Sequence, residues 1–438
     1  MRYCLISLGC AKNTVDAEGM GQLLGEAGHR SVDAVEDADL LIVNTCGFIE
    51  VARAESIGVL RELAEVKRPD QWLVAAGCLS QRYGKVLAEQ VPGLDGILGT
   101  RHWMDIVKLV ERLHQRRRGP LYDIPNEGVI PSDPVGITRA AVQGASAYLK
   151  IADGCRRPCA FCAIPLIKGT ARSRPPEAIV AEACQLVDAG VKEIILIAQD
   201  TTDYGRDLGL HDGLAWLIDS ILTTVPDLHW LRIMYTYPGA ITPRLIETMA
   251  CHPQVCHYLD LPLQHGHPDV LKRMRRPADT AYVHRQIGSL RAAMLDIVLR
   301  TTFIVGFPGE TEAEFAELEN FMKELAFDKV GVFTYSHEEG TAAAAMPDDV
   351  PPAVKEERRE RLMALQQGIS LTRNQDQVGR RLEVLLEGAS DGLSLGRSYR
   401  DAPEIDGLVI IEEELPVGQI VQTRIVSAME YDLVGALA

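Results

Sequence analysis

Short, almost wholly apolar runs at Tyr3 to Leu8, Asp39 to Val43 and Trp72 to Ala76 are each followed by a stretch with helical spacing. One begins after Asn13-Thr14, one from about Phe48, and one lies beyond Ala76. Runs of this length alternating with helices predict a parallel sheet covered by helices, because a crossover is needed to return the chain in the same direction. The alternation stops at the basic run Arg116-Arg117-Arg118-Gly119-Pro120, and Pro125, Pro131 and Pro134 follow it. Residues 1–115 therefore read as one α/β domain and 116–140 as a linker.

A second series, over 141–371, places strands near Tyr148 to Ile151, Glu193 to Ala198, Trp230 to Tyr235, Tyr258 to Leu261, Leu299 to Val305 and Val330 to Tyr335. Between them Ile179, Val180, Ala183 and Val187 recur at helical spacing before Gly190, as do Phe315, Leu318, Met322 and Leu325. Six strand–helix units predict a partial (β/α)6 barrel. After a charged helix from Val354 to about Ser370, the pattern changes to short strands near Arg381 to Glu387, Ser394 to Ser398, Gly407 to Ile411 and Ile420 to Ser427. Separated by Gly, Pro and Asp turns, these predict a small antiparallel β-barrel over 372–438.

Composition narrows the class. A chain of 438 residues with 47% hydrophobic and 24% charged residues can bury two or three ordinary cores. No apolar run approaches the ~18 residues of a membrane span, and the N-terminus reads straight into a strand, so a cytoplasmic protein with no membrane partner is expected. The formal net charge of −16 argues against tracking a nucleic-acid backbone.

Ten cysteines in a reducing compartment are to be read for metal or catalysis rather than disulfides. Cys155, Cys159 and Cys162 form a C-x3-C-x2-C triad just after the first strand of the middle domain. Three closely spaced thiolates without a fourth suit a four-iron cluster with one open iron, whereas structural zinc usually closes with a fourth ligand. Cys10, Cys46 and Cys78 each follow a strand of the first domain, and the carboxyl ends of parallel strands open on one crevice. Spacing alone leaves two readings of these three: a shared site, or small buried hydrophobes. Cys4, Cys184, Cys251 and Cys256 read as structural, the last two despite their neighbours His252 and His257. Gln199-Asp200-Thr201-Thr202, Pro262-Leu263-Gln264-His265 and Gly306-Phe307-Pro308-Gly309-Glu310 fall at strand ends, where a barrel places its active site. Singly, the glycine segment reads as a turn and His265 as a satisfied polar residue.

The Cys155, Cys159, Cys162 spacing, with Phe161 before the last cysteine, resembles the radical S-adenosylmethionine signature. With Cys10, Cys46 and Cys78 upstream, the whole chain resembles a methylthiotransferase: an N-terminal methylthiotransferase domain, a radical core and a TRAM-type barrel. Ser7-Leu8-Gly9-Cys10-Ala11-Lys12-Asn13-Thr14-Val15-Asp16, Gln199 to Gly205, Pro262 to His265, Gly396-Arg397-Ser398 and Asp401 to Gly407 resemble the branch that modifies an aspartate of small-subunit ribosomal protein twelve. Ala17 stands where that branch usually has Ser, and His337 where Pro is expected; neither is next to a cysteine.

The resemblance implies two [4Fe-4S] clusters, one per triad, and S-adenosyl-L-methionine as cofactor, with Gln199, Gln264 and Glu310 in its pocket. Sulfur cannot be placed on an unactivated aliphatic carbon by acid–base chemistry, so a cofactor must supply a radical. In the family's mechanism the cluster at Cys155, Cys159 and Cys162 cleaves S-adenosylmethionine, the resulting radical removes hydrogen from the aspartate β-carbon, and the other cluster presents methylated sulfur. A reductase is implied as electron donor. From Thr372 to Ala438 there are only six Lys and Arg against twelve Asp and Glu, including Glu412-Glu413-Glu414. An RNA-binding barrel needs a basic groove, so the barrel is expected to dock a basic ribosomal protein or the assembling subunit, with no direct tRNA substrate. A tRNA methylthiotransferase, a radical dehydrogenase whose second cluster relays electrons, and a non-catalytic iron–sulfur module are the alternatives.

Overall fold

The computed structural model describes residues 1–115, 119–125 and 144–438. Strands Arg2–Ser7, Leu40–Thr45 and Trp72–Gly77 pair in parallel, and every residue of Leu40–Thr45 is buried, as the apolar runs require. Three short strands escape the pattern: Arg30–Ser31, Gly96–Gly99 and Leu121–Asp123 complete a six-stranded sheet. The last lies within the stretch read as linker and pairs in parallel with Gly96–Gly99; most of the remaining 116–140 segment is outside the described residues. These strands are two to four residues long, too short for a period of two to register. The first helix begins at Ala11, ahead of Asn13-Thr14, because Cys10 already has the extended backbone of an N-cap.

The middle domain is an open six-stranded sheet in which each neighbouring pair is parallel. Its convex face packs on helices into the largest core, which includes Ile179, Ala183, Phe315, Leu318, Met322 and Leu325. Helix Glu312–Leu325 starts on a capping box between Thr311 and Glu314. The charged helix runs from Pro352 to Gln375, beyond both ends of its sequence estimate.

The C-terminal strands close into a five-stranded barrel. Its fifth strand, Leu433–Leu437, was not expected, and it pairs in parallel with Val409–Ile411, so the barrel is not wholly antiparallel. The barrel covers the concave face of the middle sheet, where Leu385 and Ala402 pack with Ile195, Trp230, Cys256 and Tyr258. Ala11 and Val15 of the first helix enter the same cluster. Among the described residues, no helix is long and apolar enough to cross a membrane.

At the centre of the barrel seam, Glu193 accepts from Arg232 at 2.7 Å and from Arg397 at 2.6 Å, all three side chains being inaccessible to solvent. Burial raises the pKa of Glu193, but the two guanidinium groups outweigh it and hold the carboxyl at about 2. Removing one member of such a cluster strands buried charge. Glu193→Ala is therefore expected to cost about 3–5 kcal/mol, read as a lower urea midpoint. The contribution of Glu193 is complete above its ordinary pKa of 4.5 and is lost as pH falls towards about 2, so the variant should also flatten the acid limb of a stability–pH curve.

Candidate functional site

Cys10, Cys46 and Cys78 stand at the carboxyl ends of Arg2–Ser7, Leu40–Thr45 and Trp72–Gly77, three neighbouring strands of one sheet. Gly9 has φ +96°, and a Cβ there would lie 2.8 Å from Cys46 Cβ and 3.1 Å from its Sγ, so glycine lets the first loop close on the second. Asn13 ties all three loops. Its Nδ2 donates to the carbonyls of Leu8 and Thr45 at 2.9 and 3.1 Å, and its Oδ1 lies 3.6 Å from Cys78 Sγ. Asn44 Nδ2 donates back to Asn13 O at 2.7 Å, while Ser56 Oγ accepts from Cys46 N and donates to Cys46 O. Cys10 is exposed, and Cys46 and Cys78 are buried.

Gly154 has φ +79°, and a Cβ would meet Thr170 O at 2.4 Å, so the turn into Cys155 admits only glycine. The loop that follows is held from several sides. Cys155 N donates to Gly169 O and Ala160 N to Met274 O. Arg157 Nε donates to Asp200 Oδ2 at 2.6 Å, and Arg156 pairs with Asp203 at 2.5 Å. Two donors reach the sulfurs: Arg157 N to Cys155 Sγ at 3.4 Å, and Arg276 Nη1 to Cys159 Sγ at 3.6 Å. The guanidinium groups of Arg157 and Arg276 lie over the Tyr237 ring, 4.0 and 4.3 Å from its centroid. Burial raises the thiol pKa values of Cys155 to about 11, of Cys162 to about 12 and of Cys78 to about 12. These thiols are neutral until a metal displaces the proton.

The two triads adjoin. Cys78 packs in one buried cluster with Ala163 and Ile167, and Ala163 is the residue after Cys162. Arg101 of the first domain donates to the carbonyls of Ile167 and Leu166. Beside this contact, Asp16 and Asp153 face Lys150 and Lys168 in a fully buried network: Lys168 lies 3.1 Å from Asp16 and 2.9 Å from Asp153, and Lys150 contacts both carboxylates. The network was not anticipated from sequence, since its members are up to 152 positions apart.

The segments at the strand ends divide. Gln199 Nε2 donates to Asp153 Oδ1 at 2.9 Å, whereas its Oε1 is buried without a partner, as is Gln264 Oε1. Gln264 has φ +78° and bridges to Phe303. Buried amide oxygens left unpaired beside the cysteine loop fit a polar ligand. Glu310 differs: both its oxygens accept from Gly306 N at 3.0 Å and one accepts from Arg358 at 2.7 Å. Its carboxylate shapes the Gly306 to Gly309 turn. His265 Nδ1 accepts from His267 N, while its buried Nε2, 3.4 Å from Glu310, makes no hydrogen bond, so the residue is only half satisfied.

Cys256 is buried in the concave core and Cys4 in the first sheet, Cys184 is partly buried, and Cys251 is exposed at a helix end. Three thiolates on one tetrahedral zinc lie about 3.8 Å apart, given a Zn–S bond of ~2.3 Å. Among the described residues only His102, Asp105 and Asp123 bring three ligand atoms within 4.8 Å of one another. The three sulfurs of neither triad all lie within that distance of one another. At His102 the carboxylates are already paired with Lys108 and Arg112.

Residues 2–99 match the Uncharacterized protein family UPF0004, residues 149–322 the Radical SAM superfamily and residues 378–437 the TRAM domain. The chain is 50% identical to a Ribosomal protein uS12 methylthiotransferase RimO of Roseiflexus sp. (strain RS-1), over 100% of this chain and 97% of that protein. It is 51% identical to one of Chloroflexus aurantiacus over 99% of both chains. In fold it is similar to the radical S-adenosylmethionine methyltransferase TsrM from Kitasatospora setae, with a TM-score of 0.59 at 14% identity over 92% of this chain and 80% of that one.

Asn13 holds the N-terminal triad without being one of its thiols. Asn13→Leu is expected to reduce the iron retained at Cys10, Cys46 and Cys78 after reconstitution while the Cys155 site loads normally. Iron per chain, compared with the same measurement on a Cys155→Ala chain, checks this.

Proposed function

Since the chain belongs to the RimO family of radical S-adenosylmethionine methylthiotransferases, we propose that its two cysteine triads act together to place a methylthio group on ribosomal protein uS12, at the β-carbon of an aspartate. The contact of Cys78 with Ala163 carries this reading: it sets the N-terminal triad directly against the Cys155 loop, at the mouth of the partial barrel. Electron relay needs only nearness, but atom transfer needs the two sites to open on one space; Cys10 of one triad is exposed and Cys159 of the other is partly exposed.

Cys155, Cys159 and Cys162 would hold one four-iron cluster, and Cys10, Cys46 and Cys78 a second, each leaving one iron without a protein thiolate. When bound, these clusters with S-adenosylmethionine supply the radical that removes hydrogen from an aliphatic carbon and the sulfur that replaces it. The chain's own groups orient them. Arg276 and the backbone N–H of Arg157 donate toward the cysteine sulfurs and stabilise negative charge there. Gln199 and Gln264 offer unpaired amide oxygens to the ammonium or hydroxyl groups of S-adenosylmethionine. Glu310 keeps the neighbouring turn in shape through Gly306 and Arg358.

The barrel supplies the docking surface. Arg397, Arg400 and Asp401 are turned inward and buried, while Glu412, Glu413 and Glu414 are exposed, so the acidic run faces outward. Such a surface attracts a basic protein such as a ribosomal one. A reductase supplies the electrons.

Three outcomes are expected. Reconstituted protein should carry iron and sulfide near eight per chain, as two four-iron clusters require; a value near four would make one triad structural. Cys159→Ala should abolish both 5′-deoxyadenosine and methylthiolated uS12, whereas Cys46→Ala should still yield 5′-deoxyadenosine and no product. Full product from Cys46→Ala would point to electron relay instead. Neutralising Glu412, Glu413 and Glu414 together should raise the KM for uS12 and weaken its salt dependence, with S-adenosylmethionine cleavage in the absence of uS12 unaltered.

A further inference from the structure

One buried ion pair outside the cysteine loops joins both of them. Arg82 lies one helical turn beyond Cys78 and projects out of the first domain. Its Nη1 donates to Gly47 O, next to Cys46, at 3.0 Å and to Glu338 Oε2 at 2.8 Å, and its Nη2 donates to Glu339 O at 2.8 Å. The side chains of Arg82 and Glu338 are only 6% and 4% exposed. Glu338 belongs to the loop after the last strand of the middle sheet, where His337 stands in place of the expected Pro.

That loop is tied in turn to the other triad. Ser336 Oγ donates to Glu338 Oε1 at 2.7 Å, Thr341 Oγ1 to Glu338 O at 2.8 Å, and Ala343 N to Ala160 O at 2.8 Å. Ala160 lies between Cys159 and Cys162. A hydrogen-bonded path therefore runs from the residue after Cys46, through Arg82 and Glu338, to the middle of the Cys155 to Cys162 loop. The guanidinium fork makes three bonds to two segments at once, which an ammonium could not do in fixed geometry. The helix is broken at Tyr83, whose φ of −131° departs from helical values directly after Arg82. Neither charged group is within the cysteine loops, and a buried pair adds little stability over an apolar one. What it does provide is a fixed relative position.

We propose that Arg82 and Glu338 are positioning residues that hold the two triads in register, so that hydrogen removal at one and sulfur transfer at the other remain coupled. The proposal rests on the reading that both triads carry clusters.

The test compares Glu338→Gln, Arg82→Lys and the milder Ser336→Ala with the parent in the reconstituted full-length protein. Three quantities are followed: iron and sulfide per chain, the ratio of methylthio product to 5′-deoxyadenosine, and the magnetic interaction between the two reduced clusters by electron paramagnetic resonance. At parental iron content, Glu338→Gln and Arg82→Lys should lower the product ratio on the order of tenfold, within the ~10²-fold that a 1 Å misplacement can cost. The inter-cluster interaction should weaken with it, and Ser336→Ala should move both readouts in the same direction by less. A purely structural role would lower product and 5′-deoxyadenosine in parallel and leave their ratio unchanged; that result overturns the proposal. Iron and sulfide near four per chain in the parent would overturn the two-cluster reading itself, and the positioning role with it.

Discussion

Two carboxylates and two ammonium groups, Asp16, Asp153, Lys150 and Lys168, meet in a buried seam between the first helix and the strand that leads into Cys155. Each charge alone would be costly to bury, and together they cancel. Burial opposes the ionised form of Asp153, but Lys168 and Lys150 reverse that and hold its pKa below the ordinary carboxylate value. Burial likewise opposes the charge on Lys168, and Asp153 and Asp16 restore it. The network can be satisfied only when the two domains sit in one arrangement. That arrangement brings Cys78 against Ala163 and orients Gln199 through its bond to Asp153. The geometry of the candidate site is thus a consequence of charge balance at the domain seam.

A second buried charge cluster sets the other side of the molecule. Arg397 of the barrel and Arg232 of the middle sheet share Glu193, and Lys329 pairs with Asp401 at 2.7 Å. Ionic contacts draw the barrel over the concave face, and Leu385 and Ala402 then complete an apolar core that neither domain has alone. The barrel spends Asp401 as well as Arg397 on this seam, and Glu412, Glu413 and Glu414 stay exposed.

Much of this was legible in the chain itself. The strand and helix alternation, the six strands of the middle domain and four of the five barrel strands follow from apolar runs and turn residues, because those periodicities are local. Cys155, Cys159 and Cys162 are close in sequence, so spacing alone marks them as candidates for one site. Cys10, Cys46 and Cys78 could be placed at strand ends, but spacing did not distinguish a common site from three separate small hydrophobes. Tertiary structure was needed to decide what depends on partners far apart in sequence. Asn13 draws three loops together through bonds to Leu8, Thr45 and Asn44. Glu310 turned out to hold Gly306 and Arg358. Strands of two to four residues exist only because longer neighbours offer them an edge. Periodicity reports which face of an element is buried, and motif spacing reports which groups can share a ligand within one loop. Neither reports which buried charge will answer another, because that depends on the one packing in which every charge finds its counterpart.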